Sequence, residues 1–353
     1  VQMSIWSFAK QFAPDVPESS QLSLGEGFTP MVRSRRIGPA MGVELFFKLE
    51  TANPTGSYKD RFAAAAIADM LRRGCSRCVA TSSGNTGAAL AAYCAIASLQ
   101  CEIAIVETAP AEKLQQMLAY GATLIRIKGF GLDPDVTRKT MAAVERRASA
   151  PGAALQISAF CKSPEGMAGV QTIGYELCEQ LDGKPAHIFV PAGGGGLTLA
   201  VARGIAGSAA SVHCVQPSGN PTIAGPLRRG GDRAEEVPCS TRISGLQVAA
   251  VLDGHDVIAA CRASGGTGFL VDDDAVYGIQ ARLAREEGIF AEPAGAVALA
   301  AAVQAVTSGE LPHGWPIVCI VTGSGFKDQP SVARMTATQQ VPLIELDAFQ
   351  SLP

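Results

Sequence analysis

Seven short β-branched or apolar runs recur along the chain, separated by amphipathic or alanine-rich stretches, and this alternation constrains the fold more than any other feature. The runs are VELFFKL from Val43, CVATS from Cys78, CEIAIVE from Cys101, ATLIRIK from Ala122, HIFVPA from His187, VHCVQP from Val212 and IVCIVT from Ile317. The stretch from Lys59 predicts a helix, because Phe62, Ala66, Ile67, Met70 and Leu71 fall on one face and Gly74 ends the pattern. Strands that alternate with helices imply parallel sheets covered on both faces. Seven or more such units exceed what one sheet needs in 353 residues, about half of them apolar. The expected fold class is therefore α/β, with two three-layer lobes, mostly parallel sheets and a site in the cleft between them.

Ligands in such folds sit beyond the carboxyl ends of strands, so the loops there carry the functional reading. TSSGNTGAAL, from Thr81, collects hydroxyls, the Asn85 amide and a helix start around space for a small anion, and a carboxylate fits. The same residues would also serve as an ordinary helix N-cap. PAGGGGLTLAVARG sets Gly193, Gly194, Gly195 and Gly196 between a strand and a helix, where backbone N–H groups can wrap a phosphate. A flexible connection is the alternative there, and the pattern is neither a dinucleotide fingerprint nor a lysine-bearing P-loop. IVCIVTGSGFKD ends a buried strand at Thr322, whose hydroxyl can reach something held at the mouth of the sheet.

The segment NPTGSYKDR, from Asn53, places Lys59 directly after a tight turn and at the start of the alanine-rich helix. A lysine partly desolvated beside Tyr58 can have its pKa lowered and form a Schiff base. A phosphate, a polar ring and a bond to an amine are together met by pyridoxal 5'-phosphate.

Other chemistries have less support. A net charge of -3 gives no electrostatic reason to expect nucleic acid or a membrane surface. VQMSIWSFAK lacks a signal pattern and each apolar run is broken before bilayer length, so a soluble, cytoplasmic protein is expected. The ten cysteines are scattered and read as reduced core residues. Cys75 and Cys78 form a C-x-x-C without a second pair or a nearby histidine, and no metal is expected. The acidic run Asp272 to Asp274 reads as a helix start, with Val276, Ile279 and Leu283 on its buried face. Glu292 before Pro293 is placed to cap a helix or to border a cofactor, and Gly225 to Arg242 reads as a surface excursion.

NPTGSYKDR, SSGNTG, the glycine loop and EPAGA from Glu292 occur in the order found in the tryptophan synthase β-subunit superfamily, which this chain resembles from LGEGFTP to TGSGFKD. Within it, LGEGFTP, NPTGSYKDR and VTGSGFKD are most similar to threonine synthase of the short type. The resemblance implies that Lys59 carries the cofactor and shuttles protons. It implies that Asn85 meets the ring's phenolic oxygen, that Gly193 to Gly196 cradle the phosphate and that Thr322 contacts the pyridine nitrogen. Ser82, Ser83, Gly84 and Thr86 would bind the substrate carboxylate. A neutral hydroxyl at the ring nitrogen favours elimination or replacement over transamination. Residues 1–58 and 156–353 would form the larger, cofactor-binding lobe and 59–155 a smaller, mobile one, in a homodimer.

Three positions depart from the threonine synthase pattern. Glycines and Leu197 replace asparagines in the phosphate loop, Ser324 replaces a histidine in the TGHG turn, and Ser163 stands about where those enzymes bind substrate phosphate through arginine. Lys162 is either an anion partner or a solvated lysine. AGVQTIGYEL and EPAGAVALAAA resemble serine and threonine dehydratases and serine racemase. The function expected is a carbon–oxygen lyase acting at Cβ or Cγ of a small amino acid, phosphorylated or not, foremost a threonine synthase-like enzyme converting O-phosphohomoserine to threonine and phosphate. The alternatives are serine/threonine dehydration, β-replacement on an activated serine, and a non-catalytic binding protein that keeps the fold.

Overall fold

A computed structural model describes residues 3–311 and 314–351. Among the described residues ten strands form two sheets. Along the chain they are β1 (Met31–Arg33), β2 (Leu45–Leu49), β3 (Arg77–Thr81), β4 (Gln100–Ile105), β5 (Thr123–Arg126), β6 (Ala153–Gln156), β7 (His187–Pro191), β8 (Ser211–Pro217), β9 (Gly268–Val271) and β10 (Ile317–Val321). The larger sheet has the order β1-β2-β10-β7-β8-β9 and the smaller β5-β4-β3-β6. Every pairing is parallel except β1 with β2. All seven expected strands form. Three were not expected: β1, β6 and β9 are three or four residues long and too short to show a periodicity.

The helices that place the functional loops are α1 (Lys59–Arg72), α2 (Asn85–Ile96), α3 (Ala111–Ala119), α4 (Gly196–Gly204), α5 (Asp273–Glu287), α6 (Pro293–Thr307) and α7 (Gln329–Thr336). α1 starts where the sequence indicated and buries every residue from Asp60 to Met70. That is more than one stripe, because its small alanines let neighbouring elements approach from several sides. Gly169 shows how close: a β-carbon there would lie 2.5 Å from the Arg61 carbonyl. α5 follows the acidic run and buries Val276, Ile279 and Leu283, as its pattern requires. The expected surface excursion is only partly one. Ala224 to Leu227 form a buried helical turn, held by the Gln216 side-chain oxygen, which accepts from the N–H groups of Ile223 and Ala224 at 2.7 and 2.8 Å.

The turn that delivers Lys59 is built from the rest of its own motif. Asn53 accepts from Gly27 N at 3.0 Å and donates to Glu50 Oε2 at 2.8 Å. Thr55 donates through N and Oγ1 to the Asp60 carboxylate at 3.1 and 2.8 Å, and Gly56 takes the left-handed conformation (φ +89) that favours glycine. Ser57 bridges to Gly323, and Tyr58 N donates to Thr322 O at 3.0 Å, so the turn is stitched to the end of β10.

Beneath it lies a buried ionic network. Arg61, fully enclosed, donates Nε and Nη2 to the two oxygens of Glu50, each at 2.8 Å, and Nη1 and Nη2 to Glu176. Lys48 Nζ also reaches Glu176, at 2.5 Å, and donates to Thr29 O at 2.7 Å. The bidentate geometry and multiple donors are what make such burial tolerable.

All ten cysteines are free. Cys78 does not pair with Cys75; its sulfur lies instead with those of Cys94 and Cys101, all within 4.8 Å of one another in the core between β3, β4 and α2. Among the described residues no helix is long and apolar enough to cross a membrane.

Candidate active site

Five loops at carboxyl ends of strands converge on Lys59. The β2 loop supplies Lys59, the β3 loop Ser82 to Thr86, the β6 loop Ser158, the β7 loop the glycine run and the β10 loop Thr322. Lys59 Nζ donates to Ser158 Oγ at 2.7 Å, and that hydroxyl also lies 3.2 Å from Thr86 Oγ1. The Tyr58 ring centroid is 4.4 Å from Nζ. Although the side chain keeps some solvent contact, its amine is enclosed. Burial lowers its pKa to about 7, with Glu292 pulling in the opposite direction. At neutral pH a large share of this amine is therefore unprotonated and nucleophilic.

Asn85 and Thr322 meet on one carboxylate. Asn85 Nδ2 donates to both oxygens of Glu292, at 3.1 and 3.0 Å, and Thr322 Oγ1 donates to Oε1 at 2.9 Å. Burial raises the pKa of Glu292 and these hydrogen bonds hold it back. Glu292 precedes α6 but makes no side-chain cap to it, so its place in the site, and not helix capping, is what the carboxylate serves.

The glycine run comes within one residue of Lys59. A β-carbon on Gly196 would lie 3.2 Å from the carbonyl of Ser158, the residue that holds the amine. Gly195 has φ +98 and caps α4 with no side-chain acceptor, which leaves the first N–H groups of that helix open to an external anion. Side chains at Gly193 or Gly194 would meet the Gly245 carbonyl or Leu252, each at 2.8 Å, so the segment 245–252 packs directly on the run.

The β3 loop divides its work. Ser82 Oγ accepts from the N–H groups of Gly84 and Gly87 at 3.2 and 3.1 Å and so caps α2. Ser83 lines a cavity of about 480 Å³. Lys162 points away and pairs with Glu145 at 3.0 Å on the surface, and Ser163 bonds within its own loop to Ile157 N and Leu155 O.

Ser158 was missed by sequence reasoning. Its one available signal is a hydroxyl two residues beyond the end of β6, a strand too short to be recognised. The role of Gly323 is equally local: a β-carbon there would lie 2.6 Å from Glu292 Oε1. Gly323→Ala is expected to push that carboxylate off Asn85 and Thr322 and to cost about 1–3 kcal/mol of stability. Thermal or urea unfolding checks this, and an unchanged midpoint would contradict the tight fit.

Residues 22–323 match the family described as pyridoxal-phosphate dependent enzyme. The chain is 31% identical to the threonine synthase of Halalkalibacterium halodurans over 334 residues, covering 93% of this chain and 90% of that one. It is 30% identical to the threonine synthase of Methanocaldococcus jannaschii, covering 98% and 85%. Among solved structures, maize serine racemase superposes with a TM-score of 0.76 at 25% identity, covering 96% of this chain and 98% of that one. A buried low-pKa lysine, an uncapped glycine-led helix and a match over most of the chain agree, and the chain belongs to the pyridoxal-phosphate dependent enzyme family.

Proposed function

We propose that this protein labilises the α-proton of a small amino acid and then eliminates or replaces a substituent at Cβ or Cγ, with threonine synthase-like conversion of O-phosphohomoserine as the foremost reaction. The single observation that supports the chemistry is the enclosed Lys59 amine, with a pKa of about 7 and one hydroxyl partner. The likeness to threonine synthases supports the choice of reaction.

The residues fit the cofactor. The open N-terminus of α4 behind Gly193 to Gly196 suits its phosphate, and Lys59 would hold it covalently through Nζ. Asn85 and Thr322 would meet its ring oxygen and ring nitrogen in place of the Glu292 carboxylate they now share. When bound, the cofactor supplies an electron sink for the carbanion left at Cα. The chain's own residues do the remainder. The β3 loop, from Ser82 through Ser83 and Gly84 to Thr86, holds the substrate carboxylate. Lys59 takes and returns the proton, and Ser158 keeps its amine oriented towards Thr86. Residues 59–155 act as the smaller, mobile lobe, closing on 1–58 and 156–353 to exclude water in a homodimer.

Product analysis tests the reaction. O-Phosphohomoserine should yield threonine and phosphate in equal amounts. Release of a 2-oxo acid and ammonia from serine or threonine, with O-phosphohomoserine inert, would instead make the enzyme a dehydratase. That second reading draws on the dehydratase-like segments AGVQTIGYEL and EPAGAVALAAA.

A further inference from the structure

We propose that the cavity of about 480 Å³ beside Ser83 receives an anionic group at the end of the substrate's side chain, with Lys113 as its principal cation. This rests on the reading above, in which the β3 loop holds the substrate carboxylate, and adds to it where the other end of the substrate goes.

The cavity touches both halves of the site. On one side stand Ser83 and the start of α3, with Thr108 and Lys113; on the other stand Gln247, from the stretch that packs on the glycine run, and Ser244 just before that stretch. A substrate held by its carboxylate near Ser83 therefore has this space within a few bonds of Cα, and the volume lies in the range typical of small-ligand sites.

The charge lining it is unbalanced. Lys113, Arg242 and Arg334 face Asp328 alone among the lining residues. The two arginines are more than half exposed and already paired with Asp273 or Asp274, so water and salt screen them. Lys113 is different: its side chain is 14% exposed, and its ammonium donates to Ser244 Oγ at 2.8 Å and Asp328 Oδ2 at 2.9 Å. An ammonium with three donors can keep these partners and turn a third hydrogen towards an arriving anion. α3 adds to this, because it begins at Ala111 with no side-chain cap and Ala109 and Pro110 also line the cavity. The alternative cation, Lys162, is committed to Glu145 at the surface, and Ser163 offers no charge.

Asp328 makes a directional test available. Its carboxylate competes for Lys113 while its Oδ1 caps α7 through Ser331 N at 3.1 Å. Asparagine can keep the cap without the charge. The probes are 2-amino-5-phosphonopentanoate, which ends in a dianion, and norvaline, which shares its amino-acid head without it. Titrated calorimetrically into the holoenzyme, the phosphonate is expected to bind about ten- to a hundredfold more tightly than norvaline. Lys113→Met should shrink that ratio to within about threefold, Asp328→Asn should enlarge it, and Lys162→Met should leave it unchanged. Loss of a packing contact would not produce opposite shifts from Lys113 and Asp328. If Lys113→Met fails to fold, Asp328→Asn decides: an unchanged or smaller ratio overturns the proposal. Norvaline binding with no phosphonate advantage, or an advantage that survives Lys113→Met, overturns this inference alone. Silence from both ligands overturns the carboxylate-loop reading and this inference with it.

Discussion

Lys59→Ala is expected to abolish useful turnover, lowering kcat by at least about a thousandfold while leaving the fold intact. Lys59 combines features that two other inward-facing lysines, Lys48 and Lys327, lack. Lys48 is more deeply buried, yet its amine is spent on Glu176, Thr29 O and Gln180. Lys327 donates to Gln116 at 2.5 Å. Lys59 alone among these three meets Ser158, whose carbonyl lies beside the glycine run, and its amine, unlike that of Lys48, carries no carboxylate. A readout independent of turnover is available. Borohydride treatment of the wild-type holoenzyme should fix the cofactor on the peptide containing Lys59, and the same treatment of Lys59→Ala should fix none. Label recovered on Lys48 or Lys327 would refute the assignment outright. An unchanged thermal midpoint in the variant separates lost chemistry from lost folding, since removing an enclosed amine whose one hydrogen-bond partner is a hydroxyl leaves no buried charge behind.

Arg61→Ala carries the largest expected cost in stability, about 3–5 kcal/mol, because it removes the cation from between two buried carboxylates. Against a total of about 5–15 kcal/mol, that is a large share of the folding free energy. Burial works against the Arg61 charge, but Glu50 and Glu176 outweigh it and hold its pKa above the ordinary value. Glu176 shows the reciprocal effect: burial would raise it, and Arg61 and Lys48 together bring it down to about 2. A carboxyl group lowered in this way contributes stability above its unfolded pKa of about 4.3, and that contribution is lost as pH falls towards 2. In the variant Glu176 keeps only Lys48 as its cation, so less of this pH-dependent contribution remains. Urea unfolding across about pH 2–7 checks both parts. A variant within about 1 kcal/mol of wild type, as opposed to the loss of about 3–5 kcal/mol, would show that the network contributes little net stability.

How much of this is legible in the sequence differs residue by residue. Lys59 can be read because a turn motif and a helix start are local, whereas the Ser158 hydroxyl that meets its amine comes from far along the chain. The glycine run can be read because consecutive glycines between a strand and a helix expose backbone N–H groups that side chains would otherwise cover, a property of the segment itself. Ser158 cannot, since its importance comes from lying 2.7 Å from an amine 99 positions earlier. Arg61 and Glu176 look like ordinary helix-surface charges, and nothing in their own segments reveals that both are enclosed.

By itself, then, the amino-acid order determined the alternation of strand and helix, from which parallel sheets follow, and the places of the lysine and the glycine run, because each is written in a pattern of a few residues. Tertiary structure alone decided that Glu292 gathers Asn85 and Thr322, that Ser158 orients the amine, and that Lys113 and not Lys162 faces the cavity. Those pairings join residues up to 215 positions apart, as Lys113 and Asp328 are, and their geometry follows from how two twisted sheets pack, which no local periodicity encodes.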